Sequence, residues 1–195
     1  MAKIHPNSNS TTSSSSCTTS NCKETFTIWM KSLVFNGNGC TVYDSHGEIV
    51  YRMDNYDTNH SNQVHLMDLK GNLIFTILKK KLSIFRCWEA YRYSGSNLEE
   101  GKPWFRVKKA MLKRDEASIM NALTPVYRIQ GCSSGKVACK IVNQAGELVA
   151  EVMRKQSASG IVLGEDVLKL VIEPNVDHSL AMAFVIVYNL MNRRM

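Results

Sequence analysis

The chain has 195 residues, 44% of them apolar, with 24 Lys or Arg against 17 Asp or Glu and a formal charge of +7. This composition supports one domain, or one domain and a tail, with a sizeable core, and it excludes a collagen-like or wholly disordered chain. No run of about 18 apolar residues occurs, which excludes a helical membrane protein, and the basic balance points to an anionic partner without naming it.

Residues 1–23 are expected to form a disordered tail. Positions 7–21 hold only Asn, Ser, Thr and one Cys, too little apolar surface to offset the entropy of ordering. Met1 to Asn21 has no apolar stretch that could serve a secretion signal. The six cysteines, Cys17, Cys22, Cys40, Cys87, Cys132 and Cys139, are therefore expected as reduced thiols of an intracellular protein. No CxxC pair is present, so a zinc site is disfavoured and no metal or cofactor is expected.

From Glu24 to about Glu173 the texture is β. Val, Ile, Tyr, Phe and Thr cluster in short runs, separated by turn signals such as Asn36-Gly37-Asn38-Gly39, Lys70-Gly71 and Ala145-Gly146. The spacing predicts an antiparallel meander closed as a barrel or sandwich. One unit recurs: apolar-apolar-Asp/Asn-x-x-Gly-polar-apolar-apolar. Its copies begin at Val42, Leu66 and Ile141. Asp44, Asp68 and Asn143 are read as turn-opening residues, with Gly in the left-handed position. Ala110 to Leu123 is compositionally ambiguous between helix and strand; the surrounding texture favours strands with a charged loop at Lys113 to Glu116.

The C-terminal segment differs. Asp177 or Ser179 can cap a helix over about 178–192. Residues 180–191 are apolar or aromatic at every position but Asn189, so the helix has no polar face and must be enclosed. Twelve residues rise about 18 Å, short of the roughly 30 Å of a bilayer core. Enclosure by protein follows: the helix threads the barrel and serves as its core. Arg193 and Arg194 suit the negative end of its dipole.

At this point the residues resemble a known family. Phe35-Asn36-Gly37-Asn38-Gly39, Thr41-Val42-Tyr43-Asp44-Ser45, Tyr51-Arg52-Met53-Asp54-Asn55-Tyr56, Trp88-Glu89-Ala90-Tyr91-Arg92, Phe105-Arg106-Val107-Lys108-Lys109, Gly160 to Val167 and Leu180-Ala181-Met182-Ala183 stand in the order found in plant LURP-one-related proteins. That family is similar in fold to the C-terminal domain of tubby proteins and to phospholipid scramblases. The resemblance covers about Phe26 to Met191 and implies a mainly β fold, a twelve-stranded antiparallel barrel around a central hydrophobic C-terminal helix, over 24–195. It brings no catalytic residues to carry over. Cys40 and the Ala110 to Asn121 stretch depart from the pattern. Glu173 to Asp177 is too poor in carboxylates for the calcium segment of scramblases.

Searching for chemistry yields little. No P-loop or G-x-S-x-G elbow occurs. His60 and His65, near Asp57 and Asp68, read as a polar loop rather than a metal site. With no nucleophile–base pair, the protein is expected not to be an enzyme. Charge is more informative. Residues 79–114 carry 11 basic and 3 acidic groups, while 115–195 balance at 8 and 8. Lys79, Lys80, Lys81, Arg86, Arg106, Lys108 and Lys109 are the anion- or lipid-binding candidates, with Arg92, Lys113 and Arg114 nearby. In strands, Lys79 shares a face with Lys81 and Arg106 with Lys108. The expected function is a non-enzymatic barrel that binds phosphoinositides or anionic membrane surfaces in plant defence-related signalling. The alternative is a protein-interaction scaffold or a membrane-tethered transcription regulator without lipid chemistry; direct nucleic-acid binding is disfavoured. A monomer is expected, cytoplasmic, with peripheral attachment at the plasma membrane or a nuclear location as further options.

Overall fold

The computed structural model describes residues 19–30, 39–54, 63–80, 87–94, 97–98, 102–109, 116–121, 124–132, 136–157, 159–164 and 166–192. Among the described residues, thirteen strands precede one helix. The first six are β1 (Glu24–Trp29), β2 (Gly39–Tyr43), β3 (Ile49–Asp54), β4 (Gln63–Asp68), β5 (Leu73–Lys79) and β6 (Cys87–Ser94). They are followed by β7 (Asn97–Leu98), β8 (Phe105–Lys109), β9 (Glu116–Asn121), β10 (Thr124–Gly131), β11 (Val137–Asn143), β12 (Leu148–Arg154) and β13 (Val167–Ile172). The helix α1 spans His178–Met191.

Apart from the two-residue β7, which pairs only with β6, each strand pairs antiparallel with the strands before and after it. The ring closes where β1 meets β13, with Glu24 opposite Ile172 and Trp29 opposite Val167. The result is a closed twelve-stranded antiparallel barrel, and closure leaves no long unpaired edge. Glu116–Asn121 is a strand, as its β surroundings require; 110–115, including the expected charged loop at Lys113, lies outside the described residues.

Antiparallel alternation places successive connections at opposite barrel ends. The tight turns after β2, β4 and β11 lie at the barrel end where the helix starts. The longer connections after β5, β8 and β12 lie where it finishes. The three repeated units build the tight turns. Asp44 Oδ1 accepts from the amides of His46 and Glu48 at 2.8 and 2.9 Å. Asp68 Oδ1 does the same for Lys70 and Asn72 at 2.9 and 2.8 Å, and Asn143 Oδ1 accepts from Glu147 at 2.9 Å. Gly47, Gly71 and Gly146 all sit near φ +80 to +90°, a conformation that side-chain-bearing residues avoid. A fourth copy, unrecognised in the sequence, uses Ser157: its Oγ accepts from the Ile161 amide at 3.2 Å and its carbonyl from Gly160 at 2.9 Å.

Alternate residues of each strand face the lumen. Round the ring, Ile28, Val42, Met53, Leu66, Phe75, Ile77, Val107, Ile119, Ile129, Ile141, Val152 and Leu170 are all buried. A barrel of about eight strands can fill itself with side chains; twelve leave a lumen, and α1 occupies it. Ala181, Ala183 and Val187 are wholly inaccessible, and Phe184 packs edge-on against Phe105 at 4.9 Å and tilted against Tyr127 at 5.3 Å. The expected enclosed helix is therefore present, and no described helix is long and apolar enough to cross a membrane.

Both helix ends are pinned. Asp177 is the N-cap, accepting from the Ser179 and Leu180 amides and from Ser179 Oγ at 2.6 Å. Arg92 reaches Asp177 at 3.2 Å across the barrel mouth and lies 5.1 Å from the Trp104 ring. His178 meets the Phe26 ring edge-on at 5.2 Å. At the far end the C-cap is Asn192; Arg193 and Arg194 lie outside the described residues.

Because Ala183 and Val187 are wholly enclosed by apolar side chains, Ala183→Asp or Val187→Asp buries an unpaired carboxylate. Neither variant is expected to yield soluble folded protein, as judged by circular dichroism of the purified chain. Phe184→Ala leaves a cavity instead and is expected to cost about 3–5 kcal/mol in denaturant unfolding.

Candidate functional site

Five of the seven cationic candidates lie among the described residues. Lys81 and Arg86 lie outside the described residues, as do Lys113 and Arg114. The remaining five, Lys79, Lys80, Arg106, Lys108 and Lys109, come from the paired strands β5, β6 and β8, near the barrel end where α1 finishes.

Register places them. In β8, Phe105 and Val107 face the core while Arg106 and Lys108 face outward, so those two share a face. On β6, Cys87 lies opposite Lys108 and Glu89 opposite Arg106. The Lys80 amide donates to the Cys87 carbonyl at 2.9 Å. Lys80 and Lys108 therefore flank one strand, about 10 Å apart by strand spacing.

Glu89 changes the charge of this surface. Its side chain is 5% exposed. Lys80 Nζ lies 3.0 Å from Oε2 and Arg106 Nε donates to Oε1 at 2.9 Å. Tyr91 donates its hydroxyl proton to Oε2 at 3.0 Å. Burial alone would push the Glu89 carboxyl up, but the hydrogen bonds from Lys80, Arg106 and Tyr91 hold it below the ordinary glutamate value. One carboxylate thus ties two of the candidate cations together and offsets one of their charges.

The other three differ. Lys79 is exposed, its Nζ 6.0 Å from the centre of the Trp88 ring. Lys108 is exposed. Neither has a carboxylate partner among the described residues. Lys109 instead reaches over the barrel mouth, where Nζ donates to Asn192 Oδ1 at 3.4 Å. There it meets the negative end of the helix dipole, a structural role. Arg92 is at the opposite mouth and engaged with Asp177.

His65 belongs to strand β4 and not to a polar loop. Its Nδ1 pairs with Thr76 Oγ1 at 3.0 Å, and burial lowers its affinity for a proton. His60 and Asp57 lie outside the described residues. Among the described residues no three His, Cys, Asp or Glu side chains gather to hold a metal ion. Cys40 is sealed in the core, where burial, with Asp54 adding, pushes its thiol up to about 12; it is no thiolate nucleophile at neutral pH. Burial likewise raises the Cys87 thiol.

A sequence profile described as LURP-one-related matches residues 24–189. Protein LURP-one-related 4 of Arabidopsis thaliana is 48% identical over 170 residues, 86% of this chain and 78% of its own length. Protein LURP-one-related 11 of the same plant is 40% identical over 211 residues, covering 98% of this chain and 89% of its own. Among solved structures, an Arabidopsis thaliana protein determined by X-ray crystallography superposes with a TM-score of 0.64 at 15% identity. The match covers 90% of this chain and 94% of that one, and it speaks to the fold. The profile match over the whole barrel and helix, together with these identities, makes the chain a member of the LURP-one-related family.

Proposed function

We propose that this chain is a non-enzymatic barrel protein that attaches peripherally to anionic membrane surfaces, phosphoinositides included, through the end of β5 and β8. The observation that carries this reading is the gathering of Lys80, Arg106 and Lys108 on the outward face with Lys79 beside them near one barrel end, Glu89 being the buried carboxylate among them in the described residues. Exposed ammonium groups at an anionic leaflet contribute about 1 kcal/mol each, reduced by salt. Glu89 holds Lys80 and Arg106 in fixed positions but offsets one of their charges. A role in plant defence-related signalling rests on the family resemblance.

Flotation with phosphatidylserine-containing vesicles tests the surface. The Lys79→Glu, Lys108→Glu double variant is expected to lose most of the bound fraction at physiological salt; unchanged binding would place attachment elsewhere. Glu89→Gln is expected to act the other way, since it uncovers one positive charge and should tighten vesicle binding two- to fivefold (roughly 1 kcal/mol at most).

The same substitution has a pH signature. A carboxyl held below its ordinary value stabilises the fold above the unfolded glutamate pKa, about 4.3, and that contribution is lost as pH falls through the folded value. Glu89→Gln is therefore expected to lower stability at neutral pH by about 2 kcal/mol. The gap to the parent protein should narrow in acid, as read from denaturant midpoints across pH.

A further inference from the structure

On the other side of the ring, around β13, the outer wall carries a second basic feature that the composition of 115–195 conceals. Register sets Tyr43, Thr27, Lys169 and Met153 in one row across β2, β1, β13 and β12. All four are half-buried on the outward face. They floor a concavity of about 750 Å³, walled by the Asp44 to Gly47 turn on one side and by Lys136, Arg154, Lys155 and Gln156 on the other.

Among the described residues the lining carries Lys136, Arg154, Lys155 and Lys169 and the carboxylate of Asp44, and Arg154 is itself engaged by another group. Asp44 spends Oδ1 on the amides of its own turn, and its Oδ2 is 3.6 Å from the His46 ring. Lys155 Nζ is held by a neutral oxygen, Thr27 Oγ1, at 2.7 Å. Lys136 and Lys169 have no carboxylate partner among the described residues. Elsewhere, lysines do find such partners: Lys140 has Glu151 at 3.4 Å, and Lys23 has Glu173 at 2.7 Å. A walled concavity with converging ammonium groups and few counter-charges is suited to a phosphate dianion.

An apolar hairpin adjoins the Lys155 and Gln156 side of the concavity. The Leu163 amide donates to the Lys155 carbonyl at 2.9 Å, and Val162 bridges to Gln156. Ile161, Val162 and Leu163 are 68%, 46% and 48% exposed, three consecutive apolar side chains in water. The hairpin that carries them is a built feature. Gly164 sits at φ +125°, where a Cβ would meet Asp166 Oδ1 at 2.7 Å. The Asp166 carbonyl accepts from Met30 at 2.8 Å, and its carboxylate from the Trp29 indole at 3.4 Å. Basic groups that bind a headgroup beside exposed aliphatic residues make up the two halves of an interfacial membrane contact.

We propose that this pocket binds the phosphomonoester of a lipid headgroup while the Ile161 to Leu163 hairpin enters the acyl boundary. The site is separate from the β5–β8 surface and depends on phosphate chemistry rather than on surface charge density.

The test is flotation of the full chain with phosphatidylcholine vesicles doped with a phosphatidylinositol monophosphate, set against phosphatidylserine vesicles of equal charge. The Lys136→Gln, Lys169→Gln variant is expected to bind the phosphoinositide vesicles roughly thirtyfold more weakly and to match the parent on phosphatidylserine. Ile161→Ser with Leu163→Ser is expected to weaken vesicle binding while leaving calorimetric binding of soluble inositol trisphosphate intact. Circular dichroism confirms that both variants fold. Parent-like flotation of the Lys136/Lys169 variant on phosphoinositide vesicles overturns the site. Binding of the soluble trisphosphate through Lys136 and Lys169, with flotation indifferent to the hairpin, assigns a free phosphate compound and overturns the lipid source. A parent-like Lys79→Glu, Lys108→Glu variant bears on the β5–β8 surface alone.

Discussion

A ring of twelve strands encloses more space than its own inward side chains can fill, and the whole molecule is organised by the need to keep that space dry. The helix His178–Met191 supplies the missing volume. Its apolar residues run all the way round because every direction from its axis meets barrel wall. Phe184, wedged between Phe105 and Tyr127, shows how close the fit is. With the inward positions of the strands committed to this packing, chemistry can vary only on outward positions and at the two ends.

The two ends are unequal. The helix starts at the end with the tight turns, where the N-cap Asp177, Arg92 and Trp104 close the mouth. It finishes at the end from which the connections after β5, β8 and β12 leave, where Lys79, Lys80, Lys108 and Lys109 gather and from which the Ile161 to Leu163 hairpin arises. The β5–β8 cations and the hairpin thus share this second end on opposite walls, while the phosphate pocket runs along the outer wall from there to the Asp44 turn of the first end.

What could be read from the sequence follows the range of the interactions. The Asp44, Asp68 and Asn143 turns were legible because each is held by hydrogen bonds within five residues of chain. The enclosed helix was legible because an unbroken apolar run too short for a bilayer has few other fates. Ser157 escaped notice because a hydroxyl replaces the amide or carboxylate of the other three turns, although the glycine three residues on is a shared signal. Glu89 was not legible as a partner of Arg106, since their contact depends on strand register across 17 residues of chain. The pocket around Lys169 was hidden for a related reason. Its cations are numerically balanced by acids of the same region, but Glu151, Glu173 and Asp177 are paired with Lys140, Lys23 and Arg92. A segment neutral by count is therefore basic at one place on its wall.

The closure of β1 on β13 also has a consequence for how the protein is made. The first strand to leave the ribosome must wait for the thirteenth before its second edge is paired, and the helix that fills the lumen is synthesised after both. Until then the nascent chain holds an open, curled sheet with an unfilled apolar concave face. Contacts so distant in sequence slow folding, and exposed apolar surface invites association with other chains. The segment that fills the lumen is thus made only after the strands that enclose it, which makes the interval before α1 emerges the period of greatest need for a chaperone.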